Sequence, residues 1–129
     1  MMYLICPLVT LLICQLFKNM YNLIRNNDKH VVSTGGMPST HTAFVSSLTF
    51  LIGYKLGFDS PIFAISFIFS SIVCYDAITV RYESGMHAKI LNEKYKTNLK
   101  EKIGHNILEV IVGIIIGFIS ATIFNLGGI

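Results

Sequence analysis

The sequence contains few charged residues. Asp, Glu, Lys and Arg make up 13% of its 129 residues, which is about half the share found in a soluble domain. This excludes a disordered chain and a typical cytosolic enzyme, and a net charge of only +3 argues against a nucleic-acid-binding module. Hydrophobic residues reach 53%. We therefore predict one small domain, residues 1–129, embedded in a membrane.

Cysteine is also scarce, and tryptophan is absent. The three cysteines are an odd number, lie in apolar runs and show no spacing typical of a metal site: Cys6, Cys14 and Cys74. We interpret them as buried free thiols.

Four apolar runs approach or reach the length that a membrane-spanning helix needs, about 20 residues. They are Tyr3–Phe17, Thr42–Phe58, Pro61–Val80 and Ile107–Leu126. The first two are short, so we expect them to tilt or to be partly buried in protein. The predicted fold is an all-α integral membrane bundle of about four transmembrane helices.

The cations are distributed unevenly between these runs. Three lie between spans one and two, one (Lys55) lies between spans two and three, and six lie between spans three and four. If the four spans alternate in direction, the first and third connections share a side, so nine of the ten cations lie on one face. The positive-inside rule predicts that this face is cytoplasmic.

The segment 33–41 reads Ser-Thr-Gly-Gly-Met-Pro-Ser-Thr-His. Gly36 and its neighbour permit unusual backbone angles, and Pro38 suits the first turn of a helix. Free N–H groups at that helix start, with the hydroxyls of Ser39 and Thr40, would form an anion site. His41 lies beside them and exchanges a proton near neutral pH. The alternative is a capped helix start with an incidental histidine.

A second polar site opens the fourth span. His105 and Glu109 are four residues apart, so they share one helix face. A carboxylate at that position can accept a hydrogen bond from one imidazole nitrogen and leave the other nitrogen free to attack. The alternative is an acidic residue placed where a helix N-terminus favours one.

Further charged residues lie near the predicted ends of spans one and three. Arg81 closes span three and can hold phosphate oxygens with its planar fork. Asp76 lies in an apolar run and needs a partner, either Arg81 or Lys18. Lys18 closes span one, and Arg25 follows it by seven residues; both are also explained as interfacial cations. Because the spans alternate, these helix ends and both histidines should form one phosphate pocket.

These residues resemble the motifs of the type 2 phosphatidic acid phosphatase superfamily, which is related to vanadium haloperoxidases, and in particular its small divergent bacterial and plant branch. The superfamily motifs read K-x6-R-P, P-S-G-H and S-R-x5-H-x3-D. Pro38–His41 is similar to the second motif, with Thr40 in place of Gly. Arg81, His105 and Glu109 resemble the Arg, His and Asp of the third.

The sequence also departs from this pattern. Lys18 and Arg25 have the spacing of the first motif, but Asn26 replaces its Pro. The family enzymes usually have six spans and this chain has room for four, so a reduced core or a homodimer would make up the difference.

The third motif leaves two candidates for the nucleophile. Between Arg81 and His105 there are 23 residues where the family has five. His87 has the family spacing from Arg81, but Leu91 stands where the acidic residue belongs. We prefer His105, because it has a carboxylate partner and precedes a glycine-containing apolar helix.

The resemblance implies a mechanism without a metal or any other cofactor. His105 would attack phosphorus to form a phosphohistidine, Glu109 would orient it, and His41 would protonate the leaving oxygen and then activate water. Charge on the phosphate oxygens would be stabilised by cations and backbone donors: Lys18, Arg81, Arg25, Gly36 and Ser39. The implied substrate is a lipid phosphate or pyrophosphate in a bacterial cell membrane, and no nucleic acid is expected.

Two alternatives belong to other functional classes. The first is an inactive family member that binds lipid headgroups or serves a partner complex. The second is a small transporter or channel subunit in which Asp76 and Glu109 line a polar path. Charge at helix ends on one face favours the phosphatase and the inactive binder over the transporter.

Overall fold

The computed structural model describes residues 1–26, 37–101 and 104–128, and it describes side chains for all of these except residues 21–26. Within this part of the chain the structure contains helices and no strands. The helices are α1 (Met2–Asn26), α2 (Thr40–Leu56), α3 (Pro61–Ile78), α4 (Val80–Tyr95) and α5 (Ile107–Leu126). The prediction of an all-α membrane bundle is confirmed.

Three helical stretches of the described chain are long and apolar enough to cross a membrane. They are Met2–Met20 in α1, Pro61–Tyr95 through α3 and α4, and Ile107–Leu126 in α5. The remaining predicted span is α2, whose 17 residues extend about 25 Å at the helical rise. Because α2 packs against α1, α3 and α5, protein surrounds most of this short helix.

The first helix is longer than the apolar run that predicts it. Lys18 was expected to close span one, but α1 continues to Asn26. Lys18 therefore lies within the helix, with 3% of its surface exposed. The sequence between them contains neither Gly nor Pro, so nothing ends the helix at the edge of the apolar run.

The expected loop after span three is mostly helical. The chain breaks helical geometry at Thr79, and α4 starts at the next residue. Arg81 therefore lies in the first turn of α4 rather than at the end of a transmembrane helix. The Tyr75 carbonyl accepts both the Thr79 N–H at 2.9 Å and the Thr79 hydroxyl at 2.7 Å, a double bonding that often bends a helix.

The start of α2 also differs from its prediction. The helix begins at Thr40, after Ser39 as its extended N-cap residue. Pro38 was expected in the first turn, but it lies before the cap. The helix start thus falls two residues later than the proline suggests.

The closest helix contact joins α2 to α5 through small residues. A Cβ atom added to Gly117 would lie 2.8 Å from the Ala43 carbonyl oxygen and from the Ser46 Cβ. A Cβ on Gly113 would lie 2.7 Å from the Ser39 carbonyl oxygen. Only glycine allows this approach, which is typical of helix packing in membranes.

The helices α2 and α5 run in the same direction. At their first turns, the Ser39 N–H donates to the Glu109 carbonyl at 3.0 Å. Near their last turns, the Tyr54 and Thr122 hydroxyls are 3.1 Å apart. The N-termini of both helices therefore lie at one end of the bundle, which we call the polar end.

The other end of the bundle, the apolar end, contains a hydrophobic cluster. Its fully buried members are Cys6, Leu51 and Ala121, against which Tyr54 and Phe124 pack. Large apolar side chains on α1, α3 and α5 point outward, for example Leu12, Ile65 and Ile123, which are more than half exposed. This distribution suits helices whose outer surface faces lipid.

The three cysteines are free thiols, as predicted. Cys6 and Cys14 are buried. Cys74 is half-buried, so the prediction of full burial is wrong for this residue.

Candidate active site

His105 and Glu109 form a pair at the polar end. The imidazole Nδ1 lies 2.8 Å from Glu109 Oε2, and His105 is 6% exposed. A carboxylate on Nδ1 favours the tautomer that carries its proton there. The arrangement leaves Nε2 with a lone pair, as a nucleophile requires.

The same carboxylate caps the helix. The Asn106 N–H donates to Glu109 Oε2 at 3.3 Å, and the Leu108 N–H donates to Asn106 Oδ1 at 3.4 Å. These bonds form a capping box at the start of α5. Glu109 therefore both stabilises the helix start and contacts the histidine.

The backbone of His105 is fixed on the junction of α3 and α4. Its N–H donates to the Ala77 carbonyl at 2.9 Å. A Cβ on Gly104 would lie 2.6 Å from the Tyr82 nitrogen and 2.7 Å from the Ala77 oxygen. The glycine before His105 thus permits a close backbone approach. The packing of Gly104 against Ala77 and Tyr82 was not predicted, although a glycine next to His105 indicates a close backbone approach.

The start of α2 supplies hydroxyl groups beside this pair. Ser39 is fully buried, and its Oγ lies 2.9 Å from Thr42 Oγ1. Thr40 Oγ1 is buried and has no hydrogen-bond partner within the described residues. An unsatisfied buried hydroxyl is costly, so Thr40 is suited to donate to a bound anion.

His41 occupies the second position of α2, before the apolar run that starts at Thr42. Although the residue is partly open to solvent, desolvation by the surrounding protein lowers the pKa of His41 below its ordinary value of 6.5. Coulombic interactions with Arg81, His105 and Lys18 lower the pKa further. Backbone contacts also bring His41, His105 and Arg81 to the polar end, because the Ser39 N–H donates to the Glu109 carbonyl and the Arg81 backbone lies against Gly104.

Arg81 and Asp76 form an ion pair at the edge of this group. Arg81 Nε donates to Asp76 Oδ2 at 2.8 Å, and the two side chains are 44% and 36% exposed. Of the two cations considered as partners of Asp76, Arg81 and Lys18, it is Arg81 that forms the ion pair. The guanidinium has five N–H donors, of which this bond uses one.

Among the other predicted residues that the structure describes, His87 is not brought into the group. His87 lies exposed on α4 and forms no hydrogen bond or ion pair within the described part of the chain. Gly36 lies outside the described residues, and so does the side chain of Arg25.

An open cleft of about 390 Å³ lies beside the pair. Its walls include Ile78, Tyr82, Asn106 and Ile107 in addition to His105 and Glu109. It gives a molecule from outside access to the imidazole. Among residues 1–26, 37–101 and 104–128, no three His, Cys, Asp or Glu side chains group as metal ligands would.

The sequence profile of the divergent PAP2 family matches residues 1–120. The chain is 36% identical to the "uncharacterized membrane protein YuiD" of Bacillus subtilis (strain 168), over 69% of this chain and 70% of that protein. No solved structure matches the chain.

Proposed function

The chain belongs to the divergent PAP2 family, and from this we propose that it is a membrane phosphatase. The reaction is hydrolysis of a phosphomonoester or pyrophosphate on an amphiphilic lipid. The observation that carries the proposal is the buried His105–Glu109 pair, bonded at 2.8 Å, in a polar end that also contains His41 and Arg81.

His105 is the nucleophile. Its Nε2 attacks phosphorus, the bond from phosphorus to the leaving oxygen breaks, and a phosphohistidine forms. Positive charge develops on the ring during this step, and the Glu109 carboxylate on Nδ1 stabilises it. Water then attacks the phosphohistidine and releases inorganic phosphate.

His41 moves the protons. In its charged form it gives a proton to the leaving oxygen, and in the resulting neutral form it takes one from the attacking water. The lowered pKa of His41 favours the neutral form, which suits the second step. The negative charge of a bound phosphate opposes this shift and favours protonation before the first step.

Cations stabilise the charge on the phosphate oxygens. Arg81 offers the donors not used by Asp76, and Lys18 is buried near His41. Thr40 offers an unsatisfied hydroxyl at the start of α2, where the helix dipole favours an anion. Arg25 and Gly36 complete this set by resemblance to the family. The reaction as proposed uses no metal or other cofactor.

The bilayer determines the class of substrate. The protein is an integral membrane protein with apolar outer surfaces, and the proposed site lies at one end of its bundle. A lipid whose chains lie in the bilayer would place its phosphate at this end. We place the protein in a bacterial cell membrane with the polar end cytoplasmic, from the distribution of cations and the positive-inside rule.

Binding of a lipid phosphate without turnover is the second candidate. The observation that favours it is the Arg81–Asp76 ion pair. Arg81, the residue proposed to bind phosphate, is already held by a carboxylate. In this case vanadate and lipid phosphates would bind, and no phosphate would be released.

The test is phosphate release by the purified full chain in detergent micelles, from lipid monophosphates and pyrophosphates. We expect release that vanadate inhibits and EDTA does not. Binding of the lipids without release would favour the second candidate. If no lipid in the panel is bound and none releases phosphate, both candidate functions are overturned.

The orientation is tested by side-specific labelling of single cysteines in a chain whose native cysteines are replaced. Lys100→Cys and Lys55→Cys lie in exposed positions and are expected to react from opposite sides. Labelling of both from the same side would contradict the proposed topology.

A further inference from the structure

The chain that connects α4 to α5 turns back along α4. Helix α4 ends before Lys96, whose φ of 51° lies in the left-handed region that commonly ends a helix. Residues 96–101, which we call the return strap, form no helix or strand. At Gly104 the chain lies against the start of α4, because a Cβ atom there would be 2.6 Å from the Tyr82 nitrogen. The strap therefore leads from the end of α4 back toward its beginning, where His105 follows Gly104.

One side chain of α4, Asn92, holds the return strap. Its carbonyl Oδ1 accepts hydrogen bonds from the Leu99 N–H at 2.8 Å and from the Thr97 hydroxyl at 2.7 Å. Its amide Nδ2 donates to the Leu99 carbonyl at 2.8 Å and to Glu101 Oε1 at 2.7 Å. A carboxamide has two acceptor lone pairs and two N–H donors. The whole hydrogen-bonding capacity of Asn92 is thus directed at the strap.

The chain between these two points of attachment has little spare length. Asn92 follows Tyr82 by ten residues, which correspond to about 15 Å of helix. Leu99 precedes Gly104 by five residues, and five residues reach about 16–18 Å when fully extended. With Leu99 fixed at Asn92, the available chain only slightly exceeds the distance back to Tyr82. Without these bonds the chain would be slack, because Tyr95, the end of α4, precedes Gly104 by nine residues.

The position of His105 depends on this length. Its N–H donates to the Ala77 carbonyl at 2.9 Å, and its ring contacts Glu109 on α5. Both bonds require the backbone of His105 to meet the junction of α3 and α4 at one place. Gly104 fits there closely, since its Cβ position would be 2.7 Å from the Ala77 oxygen. A slack strap would let this backbone move away from the junction and would weaken both bonds.

We propose that Asn92 is a positioning residue for His105. Its four hydrogen bonds hold the return strap at the length that keeps the His105 ring against the Glu109 carboxylate. Asn92 acts through the backbone of the strap and not on the substrate. This inference rests on the proposed function, because it assigns a residue that keeps the nucleophile in place.

The first measurement does not depend on turnover. NMR of the full chain in detergent micelles, with isotope-labelled histidine, gives the rate at which the His105 Nδ1 proton exchanges with water, and His105→Ala identifies the signal. We expect at least about fivefold faster exchange in Asn92→Ala, the effect of losing one net hydrogen bond, because a slack strap opens the bond to Glu109 more often. Glu101→Ala removes a single bond from an exposed residue, so it tests the same point if Asn92→Ala does not fold.

The second measurement is phosphate release from dioleoyl phosphatidate. A displaced nucleophile lowers kcat more than it changes KM, so we expect about 10–10²-fold lower kcat in Asn92→Ala, with KM within about twofold. A substitution that only destabilises the fold would lower the unfolding temperature and leave kcat of the folded protein unchanged.

A pair of substitutions tests the hydrogen bond itself. Asn92→Asp keeps the acceptor oxygen, removes the donor and places a second carboxylate beside Glu101, so it should speed exchange and lower kcat. Glu101→Gln in the same chain supplies an amide donor to the new carboxylate and should recover part of both. Asn98→Ala is the matched control and should change neither, because the exposed Asn98 forms no side-chain hydrogen bond within the described part of the chain.

Unchanged exchange of the His105 proton in Asn92→Ala would overturn the inference, whether or not phosphate is released. Equal effects of Asn98→Ala and Asn92→Ala would also overturn it. Faster exchange in Asn92→Ala and Glu101→Ala but not in Asn98→Ala, without phosphate release from any lipid by the unsubstituted protein, would support the positioning of His105 by Asn92 and contradict the phosphatase.

Discussion

The polar and apolar ends of the bundle are built from the same helices. Where α2 and α5 begin, the interior contains Lys18, Ser39 and His105. Where they finish, it contains Leu51 and Ala121. Burying polar groups costs free energy unless they are paired, whereas apolar side chains carry no such cost. The apolar end therefore stabilises the fold, and the polar end contains polar groups that binding of a ligand would stabilise.

The contact between α2 and α5 connects the two ends. Gly113 and Gly117 let the backbones touch along the middle of the bundle, and a bond from Ser39 to Glu109 joins the helices at the polar end. A rigid contact of this kind would hold the groups proposed as catalytic in place before a substrate binds, which is how preorganised sites lower a barrier. We therefore expect substitutions at the polar end to lower activity and substitutions at the apolar end to lower stability.

The largest expected effect is at His105. His105→Ala should reduce phosphate release by at least about 10⁴-fold, because it removes the nucleophile, while circular dichroism shows an intact helical fold. His87→Ala is the matched control on α4 and should retain normal turnover. Normal turnover in His105→Ala together with loss in His87→Ala would reassign the nucleophile.

Substitution of Glu109 should have the next largest effect. Glu109→Gln keeps an oxygen near Nδ1 but removes the charge that stabilises the imidazolium, so we expect about 10²–10⁴-fold lower kcat. Glu109→Asp should recover part of kcat, since the resembling superfamily has Asp at this position. If Glu109→Gln lowers only the unfolding temperature and not kcat, the carboxylate is a helix cap and nothing more.

At the apolar end, substitution should lower stability without lowering activity. Leu51→Ala removes a fully buried side chain and should decrease the free energy of unfolding by about 2–5 kcal/mol, with kcat unchanged at a permissive temperature. Unfolding in mixed micelles, followed by circular dichroism, measures this. Leu56→Ala, whose side chain is 48% exposed, is the control on the same helix. A loss of kcat in Leu51→Ala would contradict the separation of the two ends.

The smallest effect is a shift in the titration of His41. Desolvation first, and then positive charge from Arg81, His105 and Lys18, lowers its pKa below 6.5, so NMR titration of the ring should give a midpoint below that value. Arg81→Gln should raise the midpoint, whereas Lys55→Gln, at the far end of α2, should not. A midpoint at or above 6.5 in the unsubstituted protein would contradict the account.

The same shift has consequences for pH dependence. Because His41 must be protonated to act as an acid, kcat/KM should decline as pH rises above its lowered pKa. Because the unfolded chain binds the proton more readily, this group makes the folded state less stable as pH falls through 6.5.

Much of the fold and the relative positions of the polar residues follow from the sequence. Apolar runs fix the helices, and alternation of the spans predicts that His41 and His105 lie at one end. The helix boundaries do not follow, because they depend on turn and cap geometry: α1 passes Lys18 and α4 follows Thr79 directly. A second cleft, between α2, α3 and α5, does not follow either, because Ser46 and Ser70 are common residues that come together only when α2 and α3 pack.

The central claim is that His105 carries phosphate during turnover. The direct measurement is rapid quenching of the full chain with a lipid phosphate labelled in its phosphoryl group, followed by alkaline peptide mapping under conditions that preserve phosphohistidine. We expect label on the peptide that contains His105, and no label in the His105→Ala variant, in which Glu109 is unchanged. Label on His87, or phosphate release without any labelled histidine, would contradict it.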